Sequence, residues 1–261
     1  MPGGEQHDPL LEVRGVAVRF GGVTALRDLS FDVRPGEICG LIGPNGAGKT
    51  TLFNCITRIY EPAEGSIRFA GRDLLAVPAH RIAGLGIART FQNLALFGSM
   101  TVLDNVLTGA AAQPGTGIVP GLLAWPGATR RTTRLRARAW ELVEQLELLD
   151  VALLPAAGLP FGTRKRVELA RALMAEPTLL LLDEPAGGLT HAEVDELGGL
   201  LVALRDRFGF AALLVEHHMG LVMGISDRVV AMDFGRRIAT GSPDEVRRDP
   251  AVVAAYLGRA A

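Results

Sequence analysis

The sequence has little cysteine and almost no net charge. Cys39 and Cys55 are its two cysteines among 261 residues. Both lie in segments that we expect to be core elements, so buried thiols in a reducing compartment are favoured over a disulfide bond. Acidic and basic residues nearly balance, 28 against 27, so no strong overall field attracts nucleic acid. We therefore expect neither a disulfide-dependent fold nor a nucleic-acid partner.

The pattern of a signal peptide or a membrane-spanning helix is also missing. Residues 1–9 are mostly polar, and we expect them to form a disordered tail. Residues 105–129 carry no charge, but Pro114, Pro120 and Pro126 interrupt them, which excludes a continuous membrane helix. Apolar residues make up 48% of the chain, as in an ordinary globular protein. We expect a soluble protein in which residues 10–261 form a single domain.

A glycine-rich loop between a predicted strand and a predicted helix is the most informative stretch. Residues 38–42 are an apolar run, and residues 52–56 have the apolar spacing of a helix. A strand, a glycine-rich turn and Gly-Lys-Thr at a helix start form the context of a phosphate-binding loop, in which main-chain N–H groups surround phosphate oxygens. The predicted nucleotide contacts are Gly43, Pro44, Asn45, Gly46, Ala47, Gly48, Lys49, Thr50 and Thr51.

Two side chains of this loop have specific predicted roles. Lys49 would neutralise the β- and γ-phosphates of the nucleotide, and the Thr50 hydroxyl would be a ligand of Mg²⁺. A chance glycine-rich turn is the alternative, and the flanking strand and helix argue against it.

The remaining apolar patterns predict an α/β fold: a P-loop NTPase core with a mostly parallel sheet, an antiparallel β subdomain and an inserted helical subdomain. Continuous apolar runs at 178–182 and 210–215 are typical of strands buried on both faces of a parallel sheet, with a helix over 193–208 between them. Alternating or short apolar segments predict further strands at 11–19, 29–33, 66–69 and 85–91, and a hairpin of 228–232 with 236–240.

Residues 94–176 are predicted to be the helical subdomain, between core segments 10–93 and 177–261. Five apolar residues are expected on one face of a helix in it: Leu135, Ala139, Leu142, Leu146 and Leu149. Five arginines precede or interleave with them: Arg130, Arg131, Arg134, Arg136 and Arg138. These arginines form a solvated basic face or, alternatively, face anionic lipid or an acidic partner loop.

Polar residues at the ends of predicted strands are the candidate catalytic groups. Asp183 would hold Mg²⁺ through water, and Glu184 would orient or deprotonate an attacking water. His217 would hydrogen-bond the γ-phosphate, and Gln92 would bridge Mg²⁺ and water. An exposed acidic pair and a structural histidine are the alternatives.

Together these stretches resemble the ATP-hydrolysing subunit of an ABC (ATP-binding cassette) transporter. The family's motifs occur in order as GPNGAGKTT, RTFQN, LPFGTRKRVELARAL, LLLLDEP and EHHM, and the similarity runs from residue 11 to 258. Finer features are similar to the ATPase subunits of branched-chain amino acid importers: FGGVTAL, LGIARTFQN, MTVLDNVL, VMGISDRV and AAYLG.

The resemblance implies an ATPase that uses ATP and Mg²⁺ and works as a head-to-tail pair of cassettes. Gly162 and Thr163 of one cassette would then face the γ-phosphate that Lys49 of the other binds, and Phe20 would stack on adenine or serve packing alone. The implied partners are transmembrane permease subunits, a second cassette (identical or paralogous) and, indirectly, an extracytoplasmic solute-binding protein. The implied location is the cytoplasmic face of the cell membrane, held there through the permease.

Three positions depart from the family pattern. Pro160 replaces the usual serine, Thr163 the usual glutamine and Thr190 the usual aspartate that reaches across the dimer. Proline has neither a hydroxyl nor an N–H to offer. We expect slower hydrolysis or weaker dimerisation.

Other functions remain open. A related importer for urea or short amides, or an exporter, would carry the same motifs. A translation factor or a chromosome ATPase is disfavoured because the chain has one phosphate loop and lacks long heptad helices. A catalytically weak regulatory cassette is favoured by the altered residues but disfavoured by the intact Glu184 and His217.

Overall fold

The computed structural model describes residues 8–90, 94–112 and 126–257. Most of the predicted tail and the predicted Gln92 lie outside the described residues. Within the described part, the strands form two sheets, one antiparallel and one mostly parallel. The fold is α/β, as predicted.

The antiparallel sheet has the strand order β2-β1-β4-β5 in the part of the chain that is described. Its strands are β1 (Leu11–Phe20), β2 (Val23–Val33), β4 (Glu64–Phe69) and β5 (Arg72–Asp73). β2 begins six residues earlier than the predicted segment 29–33, because it continues to pair with β1 up to the turn at Gly21. The antiparallel part of the predicted fold is confirmed.

The second sheet has the order β10-β9-β3-β8-β7-β6 among the described strands. All neighbouring pairs in it are parallel except β9 with β10. Its strands are β3 (Ile38–Ile42), β6 (Ile87–Arg89), β7 (Leu179–Asp183), β8 (Ala211–Val215), β9 (Arg228–Asp233) and β10 (Arg236–Gly241). The predicted strand over 85–91 is too long at its start, since residues 83–85 form a helical turn that Gly86 ends at φ 96°.

The helices cover both faces of the parallel sheet. They are α1 (Lys49–Ile56), α2 (Val102–Thr108), α3 (Pro126–Gln145), α4 (Phe161–Leu173), α5 (His191–Phe208), α6 (Met219–Ile225), α7 (Pro243–Arg248) and α8 (Pro250–Leu257). Within the described ranges, no helix combines the length and the apolar character needed to cross a membrane.

Each parallel strand contributes alternate residues to two hydrophobic clusters. Ile38 and Ile42 of β3 pack with the helical cluster, whereas Cys39 and Leu41 pack with the cluster shared by α1 and the antiparallel sheet. Both cysteines are buried free thiols, as predicted. Because β3, β7 and β8 are parallel neighbours, their carboxyl ends meet at one edge of the sheet, where the predicted functional groups lie.

The predicted apolar face of α3 is correct except at its end. Ala139, Leu142 and Leu146 are buried, but Leu149 is 53% exposed. The helix ends at Gln145 and Glu147 takes φ 55°, so helical periodicity no longer sets the direction of Leu149. Most of the arginines of this helix are exposed, which fits a solvated basic face; contact with lipid or a partner stays a prediction.

Candidate functional site

The loop between β3 and α1 requires glycine at particular positions. Gly46 and Gly48 have φ values of 82° and 103°, in the left-handed region that favours glycine. A Cβ on Gly48 would lie 2.7 Å from the Ala25 carbonyl oxygen, so the loop packs directly on the antiparallel sheet. The tip of the β9–β10 hairpin supports it from the other side, where the Gly235 N–H donates to the Ala47 carbonyl at 3.0 Å.

Lys49, the first residue of α1, points its ammonium group back into this loop. Its Nζ donates to the carbonyl oxygens of Gly43 at 2.5 Å and Pro44 at 3.1 Å, and the residue is only 6% exposed. The loop therefore holds a buried cation beside the N-terminus of a helix, where backbone N–H groups and the helix dipole also favour an anion.

A cavity of about 890 Å³ opens over this loop. It brings together residues 45–51 of the loop with Glu184 and His217, as the sequence predicted. Residues of the β1–β2 turn and Phe234 at the hairpin tip line its other side. Phe20 is not among the described residues that line it; its ring instead meets Tyr60 edge to face, with centroids 5.0 Å apart. Its stacking on adenine stays a prediction.

Glu184 and His217 are joined by a hydrogen bond across this cavity. The His217 Nε2 lies 2.7 Å from the Glu184 Oε1, and both side chains are partly exposed, at 44% and 22%. Glu184 has φ 49°, which is unusual for a residue other than glycine. Its main-chain N–H donates to Val215 of β8 at 2.9 Å, and that contact helps hold the strained backbone. A carboxylate positioned in this way can accept a proton from water bound in the cavity.

Glu216 positions the two loops that carry Glu184 and His217. Sequence reasoning missed this residue. It is 1% exposed, and its carboxylate accepts the Ala186 N–H at 2.7 Å, the His217 N–H at 2.7 Å and the His218 N–H at 3.1 Å. One buried carboxylate thus ties the loop after β7 to the loop after β8. A glutamate at the end of an apolar strand, directly before the histidines, was the signal that pointed to it.

Asp183, the last residue of β7, pairs with an arginine that sequence reasoning also missed. The Arg89 Nη2 donates to the Asp183 Oδ2 at 2.7 Å, and the two side chains are 8% and 5% exposed. The other Nη atom donates to the Asn54 Oδ1 of α1 at 2.7 Å. Arg89 therefore links the helix that follows the phosphate loop to the predicted magnesium carboxylate.

The donor set at this edge fits Mg²⁺. Mg²⁺ prefers a few hard oxygen ligands and fills its shell with water and phosphate oxygens. The Thr50 hydroxyl and the Asp183 carboxylate are such ligands, and Thr50 lies one helical turn before Asn54, which shares Arg89 with Asp183. Among the described residues no group of three or more His, Cys, Asp or Glu could hold a metal ion.

The residues predicted to face a second nucleotide lie elsewhere. Gly162 and Thr163 line a separate cavity of about 290 Å³ at the start of α4. Thr190 caps α5: its hydroxyl accepts the Glu193 N–H, and the Glu193 carboxylate accepts the Thr190 N–H in return. The three residues that depart from the predicted family pattern therefore lie at two helix N-termini, apart from the phosphate loop. Pro160 and Thr163 lie at the start of α4, and Thr190 at the start of α5.

Comparison with known proteins agrees with this arrangement. Residues 26–187 match the ABC transporter family model, and residues 236–261 match the model described as branched-chain amino acid ATP-binding cassette transporter. The chain is 44% identical over 252 residues to the high-affinity branched-chain amino acid transport ATP-binding protein LivG of Salmonella typhimurium, covering 97% of this chain and 99% of that protein. The protein BraF of Pseudomonas aeruginosa, of the same description, is 41% identical over the same coverage.

Solved structures show the same fold. The ADP conformation of an ATP-binding cassette of an ABC transporter aligns with a TM-score of 0.83 and 30% identity, over 97% of this chain and all of that one. A nucleotide-free ATP-binding cassette aligns with a TM-score of 0.82, also at 30% identity, over 95% of this chain and 99% of that one.

Proposed function

The chain belongs to the ABC transporter family as an ATP-hydrolysing subunit, and we propose that the transporter it energises imports branched-chain amino acids or similar small solutes. The chain is 44% identical to LivG and 41% identical to BraF over nearly its full length, and this similarity supports the solute class. The C-terminal match over residues 236–261 supports it independently, because it lies outside the general ABC match.

One observation carries the catalytic assignment. The Glu184–His217 hydrogen bond and the Lys49 ammonium group line one cavity, at the carboxyl ends of neighbouring parallel strands. A phosphate-binding cation and a carboxylate with its own orienting histidine are the parts that phosphoryl transfer to water requires.

The reaction follows from these groups. Lys49 exchanges the carbonyl oxygens of Gly43 and Pro44 for oxygens of the β- and γ-phosphates. The main-chain N–H groups of residues 45–51 surround the same oxygens. Glu184 accepts a proton from water as the water oxygen bonds to the γ-phosphorus and ADP leaves. His217 orients Glu184 and contacts the γ-phosphate. Mg²⁺, when bound through Thr50, Asp183 and Gln92, would neutralise charge on the phosphates; Gln92 lies outside the described residues.

Hydrolysis takes place in a dimer of cassettes. Gly162 and Thr163 of one subunit supply the N-terminal N–H groups of α4 to the γ-phosphate held by the other. Pro160 precedes that helix and makes no side-chain cap to it, so the side chain of residue 160 does not compete with an anion for those groups. Each complete site needs the phosphate loop of one cassette and the start of α4 of the other. The number of complete sites therefore depends on whether the second cassette is identical or paralogous.

The permease subunits bind the helical subdomain, residues 94–176. Phe97, Met100, Leu153 and Leu154 form an exposed apolar patch there. Backbone hydrogen bonds hold its two segments together, including Val102 N–H to Leu154 at 3.0 Å. An exposed apolar patch of this kind marks a protein interface. In this proposal the chain lies on the cytoplasmic face of the membrane, with residues 10–93 and 177–261 as its core and a solute-binding protein acting on the far side.

The test is reconstitution with the cognate permease subunits. We expect ATP hydrolysis that rises when binding protein loaded with a branched-chain amino acid is added. Glu184→Gln should lower kcat by about 100-fold or more while retaining ATP between two cassettes. Normal hydrolysis by Glu184→Gln would show that Glu184 is not the base. Stimulation by urea or a short amide alone would reject the solute class.

A further inference from the structure

Arg89, the first residue of the RTFQN stretch, is a buried arginine that contacts two elements of the site, β7 and α1. Arg89 ends β6, and its guanidinium group lies between Asp183 of β7 and Asn54 of α1, at 2.7 Å from each. The guanidinium carbon also lies 5.4 Å from the centre of the Phe53 ring. Ionic, polar and aromatic contacts therefore all restrict the same side chain.

The geometry of these contacts is specific to arginine. The two Nη atoms of a planar guanidinium point in fixed directions, so one can hold a carboxylate while the other holds an amide oxygen. A lysine has one ammonium group on a flexible stem and cannot bridge both acceptors in the same way. These contacts therefore form a rigid link between α1 and the end of β7, in addition to neutralising the charge of Asp183.

The link determines how the Asp183 carboxylate is presented. Arg89 engages Oδ2, and the Asp183 main-chain N–H donates to the Thr90 hydroxyl at 3.3 Å. The other oxygen, Oδ1, accepts no hydrogen bond from any residue that the structure describes. Asn54 lies one turn after Thr50 on α1, so the same guanidinium group also fixes the carboxylate relative to the helix that carries the Thr50 hydroxyl.

We propose that Arg89 is a positioning residue for the magnesium site: it holds Asp183 in one orientation, tied to α1, and leaves Oδ1 available to the hydrated ion that Asp183 would hold. This inference depends on the proposed role of Asp183. Groups that hydrogen-bond a metal-binding carboxylate commonly change metal affinity by 10- to 100-fold when removed, so the effect is measurable.

The experiment measures binding of a fluorescent ATP analogue to the purified chain in EDTA and in Mg²⁺. The ratio of the two Kd values is the gain in affinity that magnesium supplies. Arg89→Lys keeps the positive charge but loses the bridge, so we expect this ratio to fall by about 10-fold while the Kd in EDTA stays within about twofold of the parent. Asp183→Asn should lower the ratio at least as much, and adding Arg89→Lys to it should have no further effect.

Arg228→Lys is the matched control. Arg228 is another largely buried arginine in a charged pair, with its Nε 2.7 Å from the Glu37 Oε1. It pairs with Cys39 near the start of β3, whereas the phosphate loop follows the end of that strand. Its replacement should lower the melting temperature but leave the magnesium ratio unchanged. If Arg89→Lys does not fold, Asn54→Ala removes the other end of the link and should lower the ratio by about threefold.

Two other results would contradict the positioning role of Arg89 or the metal role of Asp183. A parental ratio in Arg89→Lys, or an equal loss of affinity in EDTA, would overturn the positioning role. A parental ratio in Asp183→Asn would overturn the metal role of Asp183 itself, and the Arg89 proposal with it. The assignment of Glu184 as base would be untouched by either result, since neither measurement involves hydrolysis.

Discussion

Replacing Glu216 by glutamine is expected to destabilise the protein by about 2–4 kcal/mol. The Glu216 carboxylate accepts three main-chain N–H groups through its two oxygens, and the residue is 1% exposed. A glutamine has one acceptor oxygen. In its best orientation that oxygen keeps the His217 and His218 donors, and the amide NH₂ then faces the Ala186 N–H.

The magnitude follows from this count. A buried N–H without an acceptor costs about 1–3 kcal/mol, and each of the two remaining bonds weakens by about 1 kcal/mol when its acceptor loses its charge. The neutral amide is less costly to bury than a carboxylate, which offsets part of the sum. Because the freed Ala186 lies two residues from Glu184, we also expect ATP hydrolysis to fall by more than the loss of folded protein explains.

The assay is urea unfolding followed by far-UV circular dichroism, with ATP hydrolysis measured on the folded variant. Glu196→Gln is the control, because Glu196 is a largely exposed carboxylate paired with Arg166 at 2.9 Å. Its loss should cost no more than about 0.5 kcal/mol. A Glu216→Gln variant that is as stable as the Glu196→Gln control would refute the argument from buried donors.

Three further outcomes are expected. Gly48→Ala should abolish binding of a fluorescent ATP analogue, because Gly48 has φ 103° and a Cβ would meet the Ala25 carbonyl at 2.7 Å. Thr163→Ala should lower the ATPase rate while sparing nucleotide binding by the monomer; equal rates would contradict the shared site. Burial raises the pKa of the Cys55 thiol to about 11 and that of Cys39 further, so a disulfide reagent at pH 8 should modify both only as fast as the protein unfolds.

The parts of the site that one segment determines could be predicted from the sequence. The phosphate loop is such a part, because strand, glycine turn, Lys49 and helix are contiguous and each has a local conformational reason. Asp183 and His217 were also predictable, since Asp183 ends one apolar run, His217 lies two residues after another, and parallel strands bring their carboxyl ends to one edge. Their identification needed only periodicity and the rule for where ligands bind such sheets.

The partners of these residues could not be predicted in the same way. Arg89 and Asp183 are 94 residues apart, and Glu216 and Ala186 are 30 apart, so the pairings exist only after the strands have assembled. The end of α3 was misjudged for a local reason. The apolar spacing continues to Leu149, but the helix ends at Gln145 and Glu147 adopts a left-handed conformation. No glycine or proline in the sequence marks this end.

The structure also connects two of the three departures from the family pattern. Thr190 and Glu193 form a reciprocal cap on α5, so the hydroxyl that replaces the usual aspartate is engaged within its own subunit. The other Glu193 oxygen lies so near Gly162 that a Cβ there would be 2.7 Å from it. A γ-phosphate that approaches the start of α4, beside Thr163, must therefore meet or displace this carboxylate. We predict slower closure of the dimer from that repulsion, with the Thr190–Glu193 cap as its structural origin.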